Sequence, residues 1–241
     1  MAKLYFRYGA MNSGKSTALL QAAYNYEERG QRVLLAKPAI DSRGDNAIVS
    51  RLGASRAVDF TIAPEEDILA LFTRERAKLI RATEQDVSCF LVDEAQFLSE
   101  SQVDDLLRIA IEEDVPVLAY GIRTDFQTVA FPGSRRLLEI AHSLEELKTI
   151  CRCGRKAMFN ARKIGGVFVF DGDQIAIDTS TQLDASTLTG ASVTPAGASR
   201  EVSYEPLCGA CYLEESGGVL NRGRRPRLDF SYGSAPDADF S

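Results

Sequence analysis

No run of about 18 apolar residues occurs in the chain, so no segment reads as a membrane-spanning helix. A basic surplus is also missing. Lys and Arg number 28 against 34 Asp and Glu, giving a net charge of −6 and a pI of about 5.0. A general nucleic-acid binder would carry a basic face. Histidine is almost absent. His142 is the single one, on a stretch that reads as an amphipathic helix with no partner in view, and a structural role is expected. Cysteine is sparse, five in 241 residues. Met1 leads straight into a strand-like stretch with no room for a leader, so a cytoplasmic protein is expected, and there cysteines serve as metal ligands or core residues rather than disulfides. What is present suits a packed core. Hydrophobic residues make up 45% and charged residues 26%, enough for one medium domain, alone or with a small second one.

The most informative stretch is Gly9-Ala10-Met11-Asn12-Ser13-Gly14-Lys15-Ser16. It matches G-x-x-x-x-G-K-[ST], with strand-like Leu4 to Tyr8 before it and helix formers from Thr17 to Ala23 after it. That context makes it a P-loop. Glycines let successive N–H groups turn inward around a phosphate, and the helix start adds its positive dipole end. Lys15 is expected at the β/γ-phosphates, and the Ser16 hydroxyl on Mg²⁺.

Further on, Gly30 closes the first helix and Arg32 to Ala36 reads as a buried parallel strand, completing a βαβ unit. Lys37 to Val58 reads as loop, with Asp41 and Arg43 at a strand's carboxyl end, where ligands are contacted. A helix is expected from Pro64 to about Arg76. Val87 to Val92, running into Asp93-Glu94, has the form of a Walker B strand. Asp93 would hold the metal, and Glu94 would face the transferring phosphoryl as a general base. Gln96 and Phe97 follow. Ser99 or Ser101 should cap a helix to about Glu113. The strand Val115 to Tyr120 leads to Arg123, placed to offset phosphate charge. Gly133-Ser134 should open the next helix.

A second unit begins near Leu147. Cys151 and Cys153, with Cys208 and Cys211, supply the thiolates of a closed, structural Zn²⁺ site. Cys89 reads as a buried strand residue. Asp171-Gly172-Asp173 is expected to turn a hairpin between Val167 to Phe170 and Gln174 to Ile177. Thr179 to Arg200 reads as a long loop, and the chain from 216 to 241 as an unstructured tail. The expected division is 1–147 for the nucleotide-binding unit, 148–215 for the zinc-ribbon-like unit with a covering loop, and 216–241 for the tail.

Taken in order, these motifs resemble the thymidine kinase family of the small zinc-containing type, in its bacterial branch. The likeness rests on residues 9–17, Asp41 with Arg43, residues 93–97, 120–126 and 146–157, and resumes from Tyr204 to Tyr212. It implies a RecA-like P-loop α/β fold, with a parallel sheet flanked by helices and a zinc subdomain carrying a lasso-like loop. It implies Mg-dependent phosphoryl transfer from ATP to the 5′-hydroxyl of deoxythymidine, with Glu94 as base. Lys15, Ser16, Asp41 and Asp93 match positions around the phosphates and metal, and Gly9 to Thr17 hold the ATP phosphates. Met11, Arg43, Gln96, Phe97, Phe126 and Tyr204 match the nucleoside side. Family members are homotetramers inhibited by dTTP. The segment from about 178 to 203 is longer than the family pattern and differs from it. Two other readings fit parts of the sequence. One is a P-loop ATPase that switches a partner, where Glu94 would orient water. The other is a zinc-ribbon nucleic-acid binder, which the negative charge opposes.

Overall fold

The computed structural model describes residues 1–41, 46–172 and 201–220. Arg43, Gln174 to Ile177, residues 178–200 of the expected loop and 221–241 of the expected tail lie outside them.

The chain runs β1 (Leu4–Tyr8), α1 (Lys15–Glu27), β2 (Arg32–Pro38), β3 (Ala47–Val49), β4 (Ser55–Ala57), β5 (Phe60–Ile62), α2 (Ile68–Thr83), β6 (Val87–Val92), α3 (Glu100–Glu112), β7 (Val117–Gly121) and α4 (Pro132–Ile140). Then follow β8 (Ser143–Glu146), β9 (Thr149–Ile150), β10 (Lys156–Ala157), β11 (Phe159–Ile164), β12 (Val167–Val169), β13 (Val202–Leu207) and α5 (Gly209–Glu215). Six strands form one sheet in the order β5-β2-β6-β7-β1-β8, and every neighbouring pair is parallel.

Burial on both faces explains the continuous apolar strands. In β2, Leu34 and Ala36 enter one core cluster with Phe72 of α2, Val103 and Leu106 of α3 and Leu137 of α4. Val33 and Leu35 enter the opposite cluster with Leu19 and Ala23 of α1. The helices match this arrangement. Lys15, Leu19 and Ala23 fall at every fourth residue of α1, on one buried stripe. In α3, Val103, Leu106, Ile109 and Ala110 do the same at spacings of three and four. Ser99 starts α3 with a capping box: its hydroxyl accepts from Gln102 N–H, and the Gln102 side chain accepts from Ser99 N–H. Each core side chain buried this way contributes roughly 1.5–3 kcal/mol, so packing rather than helix propensity holds the layers together.

Three local expectations are corrected. The 37–58 stretch is not all loop, because β3 and β4 pair as an antiparallel hairpin. Ile48 drops into the α1-side core, and Ser50 and Thr17 join their hydroxyls at 2.6 Å. Both contacts are long-range. The helix expected from Pro64 begins at Ile68, since the Asp67 carboxylate accepts from Ala70 N–H and caps it there, and it continues to Thr83. The helix read through His142 ends at Ile140, and the acidic stretch Ser143–Glu146 that follows is a strand. It pairs with β1 at the sheet edge, where Glu145 meets Arg7 at 2.8 Å. His142 is structural as expected: its Nδ1 accepts from Leu4 N–H at 3.1 Å.

After β8, the chain builds a third buried cluster from Cys151, Ala157, Ala161, Leu207, Cys208, Cys211 and Tyr212. β11 pairs with both β12 and β13, and the β11–β12 turn is Gly165-Gly166. Ser216 to Leu220 follow α5; Ser216 N–H reaches Tyr212 O and Gly218 N–H reaches Leu213 O. Among the described residues, no helix is long and apolar enough to cross a membrane.

Candidate active site

The P-loop leaves the carboxyl end of β1 and turns into α1. Gly14 stands at φ 78 before Lys15, a left-handed position that a side chain rarely occupies. Gly9 is needed for a different reason, space: a Cβ there would lie 2.4 Å from Ser13 Oγ and 2.5 Å from Leu147 O. Asn12 also has a positive φ, 65, so the crest is tightly curved. Lys15 is buried and lays its ammonium on the carbonyls of Gly9 and Ala10, at 3.3 and 3.0 Å. Thr17 reaches the β3–β4 hairpin through Ser50.

The tip of β6 meets this loop. Asp93 is buried, and Ser16 Oγ donates to its Oδ2 at 3.3 Å. Burial pushes the Asp93 carboxyl up to about 7, and the neighbouring Glu94 charge adds to the shift; the Glu94 amide, Lys15 and Ser16 act the other way. A hydroxyl and a buried carboxylate that converge like this are an oxygen donor set suited to Mg²⁺. A cation there would offset the cost of burying the charge. Glu94 adopts φ 48, ψ 37, a costly left-handed conformation for a residue with a Cβ. Its Oε2 accepts from Gln96 Nε2 at 2.5 Å, while Gln96 Oε1 accepts from Ile122 N–H at 3.2 Å. Gln96 is buried, so its amide bridges Glu94 to the tip of β7.

The other expected residues distribute around these two tips. Arg123 lines a small open pocket with Tyr8, Gly9, Ala10, Thr124 and Asn160. The Asp125 carboxylate accepts from Gln127 and Val129 N–H, both at 2.8 Å. Met11 is half-buried, and its N–H donates to Asn160 Oδ1 at 2.7 Å. Phe97 packs its edge on Phe131, with centroids 5.6 Å apart. Phe126 is buried beneath the Arg162 guanidinium, 3.7 Å above its ring. Tyr204 sits on β13 opposite Arg162. Asp41 lies past the end of β2, where its carboxylate meets Lys37 Nζ at 3.4 Å. Arg43 lies outside the described residues.

Four contributors carried no local signal that singled them out. Lys37 is buried beside Asp41; its one clue is its place at a strand's carboxyl end. Asn160 and Arg162 come from β11 and Tyr212 from α5. Tyr212 is 1% exposed and donates its hydroxyl to Phe126 O at 2.6 Å.

The cysteines converge as expected. The sulfur atoms of Cys151, Cys153, Cys208 and Cys211 all lie within 4.8 Å of one another, with Cys153 and Cys208 at 3.5 Å. Zn–S bonds of about 2.3 Å place tetrahedral sulfurs about 3.8 Å apart, so the cluster fits Zn²⁺. One pair sits on a knuckle between β9 and β10, where Gly154 N–H reaches Cys151 O. The other opens α5, with Cys208 at its N-cap. There the Cys211 amide draws the Cys208 thiol down, while the neighbouring sulfurs push Cys211 up, as four thiols sharing protons in one cluster must; a metal bound by all four would displace those protons.

Comparison with known proteins agrees with this geometry. The family model described as thymidine kinase matches residues 2–212. The thymidine kinase of Idiomarina loihiensis is 53% identical over 180 residues, covering 73% of this chain and 89% of that one. That of Legionella pneumophila strain Paris is 51% identical over 180 residues, covering 73% and 83%. The thymidine kinase of Enterobacteria phage T4 is 47% identical over 179 residues, covering 73% and 89%. With a P-loop and a Walker B tip meeting at Ser16 and Asp93, and with this extent of match, the chain belongs to the thymidine kinase family.

Proposed function

We propose that this chain transfers the γ-phosphoryl group of ATP to the 5′-hydroxyl of deoxythymidine, giving dTMP and ADP. The observation that carries the reading is the placement of Glu94. It stands one residue past Asp93, which bonds the P-loop serine, and it holds a strained conformation braced by Gln96. A carboxylate fixed there can accept the 5′-hydroxyl proton as the oxygen attacks phosphorus in line. The loop from Gly9 to Thr17 cradles the phosphates through those of its backbone amides that are not bonded to Gly121 and Asn160. Lys15 leaves the loop carbonyls for the phosphate oxygens, and Arg123 offsets charge from the opposite side. Ser16 and Asp93, together with Asp41, would hold Mg²⁺, which neutralises phosphate charge. Met11, Gln96, Phe97, Phe126 and Tyr204 border the nucleoside side, together with Arg43. The cysteine cluster holds Zn²⁺ as a structural staple.

The remaining features follow from the same reading. Residues 1–147 form the kinase unit, and 148–215 the zinc unit that covers the nucleoside. The protein works in the cytoplasm as a homotetramer and is restrained by dTTP. A switch ATPase is disfavoured because the relatives are thymidine kinases. The test is ADP release from Mg-ATP with thymidine, deoxyuridine, deoxycytidine or no nucleoside. Turnover that needs thymidine is the expected result, and release without any nucleoside would reject the proposal.

A further inference from the structure

The phosphate loop faces the 121–126 segment across the carboxyl ends of β1 and β7. At the base of the gap the two are joined by Gly9 N–H to Gly121 O at 3.3 Å. At the outer end a side chain from β11 spans them. Asn160 Oδ1 accepts from Met11 N–H at 2.7 Å, and Asn160 Nδ2 donates to Thr124 O at 3.2 Å. The residue is 3% exposed. Its partners set its orientation, because a reversed amide would place oxygen against the Thr124 carbonyl and NH₂ against the Met11 N–H. One residue further along, Thr149 Oγ1 donates to Asn12 O at 3.2 Å. Met11 and Asn12, the crest of the loop, are thus both held from the second unit.

The loop's own bracing depends largely on Lys15. Ser13 N–H reaches Ala10 O at 3.3 Å, and the Lys15 ammonium rests on the Gly9 and Ala10 carbonyls. That ammonium contact is lost when Lys15 turns to a phosphate. The Asn160 and Thr149 bonds engage the Met11 N–H and the Asn12 carbonyl, neither of which depends on Lys15. We propose that Asn160, assisted by Thr149, is a positioning residue that holds the phosphate loop in its nucleotide-accepting shape. The unit bearing the cysteine cluster therefore preorganises the ATP half of the site as well as covering the nucleoside half. The inference rests on the P-loop being the nucleotide site.

The test uses the full chain and Mg-ADP. Calorimetric titration is compared for the unsubstituted protein, Asn160→Ala and Thr149→Val, with melting midpoints and KM values for ATP and thymidine. Loss of a buried hydrogen-bonding side chain should weaken ADP binding about tenfold in Asn160→Ala. The exposed Thr149 bond should cost about two- to threefold in Thr149→Val. Amide exchange should quicken over residues 9–14 and stay unchanged in β1. Unaltered ADP affinity in Asn160→Ala overturns the proposal. So does a defect confined to the thymidine KM, which would make Asn160 a nucleoside contact. If Asn160→Ala does not fold, Thr149→Val decides, and unchanged affinity there rejects the proposal. An unsubstituted chain that fails to bind Mg-ADP rejects the P-loop reading itself, and that failure is distinct because it precedes any substitution.

Discussion

Replacing Tyr212 with Phe isolates one bond between the cysteine-bearing unit and the wall of the site. The ring would keep its contacts with Phe159 and Phe170, whose centroids lie 5.0 and 5.2 Å away. Only the hydroxyl donated to Phe126 O at 2.6 Å is lost. With Tyr212 at 1% exposure, water does not replace it, and the Phe126 carbonyl is left with one partner fewer. Such a loss costs about 1–3 kcal/mol, which for a protein of this size lowers the melting midpoint by about 2–4 °C per kcal/mol. Calorimetry near neutral pH should therefore show a fall of several degrees, while Tyr24→Phe, at a 59% exposed position, should show none.

The same pair makes a prediction about alkaline pH. Burial, and then the Asp125 charge, push the Tyr212 hydroxyl from 10.0 up to about 12. A raised folded value means that the protonated form stabilises the fold. That contribution is complete below 10.0 and is lost as pH rises toward about 12. In this window the advantage of the native protein over Tyr212→Phe should shrink by about 1.4 kcal/mol per pH unit. Equal midpoints for the two proteins at neutral pH, or a gap that does not narrow above 10.0, would refute the reasoning.

Gly9→Ala would set a Cβ 2.4 Å from Ser13 Oγ and 2.5 Å from Leu147 O; the loop must shift, and Mg-ADP affinity should fall at least about tenfold in titration calorimetry. Ser99→Ala removes the capping box of α3 and should cost about 1 kcal/mol in denaturant unfolding with little effect on turnover. Cys208→Ser should abolish bound zinc in elemental analysis and lower the melting midpoint; a stable protein with zinc retained would contradict the cluster's assignment.

How much was legible in the sequence depended on range. The P-loop and the Asp93-Glu94 tip could be read because the chemistry there is local: a glycine forced to positive φ, a strand before it and a helix after it. The four cysteines could be read because two short pairs and the four-ligand need of a tetrahedral ion leave few alternatives. The Ser50 hairpin could not be read, since β3 and β4 are three residues each and exist because Ile48 and Ser50 reach α1. The edge strand Ser143–Glu146 is short and charged, and the ion pair of Glu145 with Arg7 that helps seat it joins residues far apart in the chain. Asn160 and Tyr212 were invisible for the same reason. Their partners Met11 and Phe126 are 149 and 86 residues away, and no periodicity or motif reports such a bond. Gly9 shows a subtler limit: its glycine was legible, but the cause is crowding by Leu147 rather than backbone angle.

The most direct test of the central claim is dTMP formation from Mg-ATP and thymidine by the native chain and by Glu94→Gln, with Mg-ADP affinity measured on both. The native chain should form dTMP only when thymidine is present. Turnover in Glu94→Gln should fall about 10²–10⁴-fold, with ADP binding within about twofold of native. Near-native turnover in Glu94→Gln would contradict Glu94 as the base, and ADP release without dTMP would contradict the kinase itself.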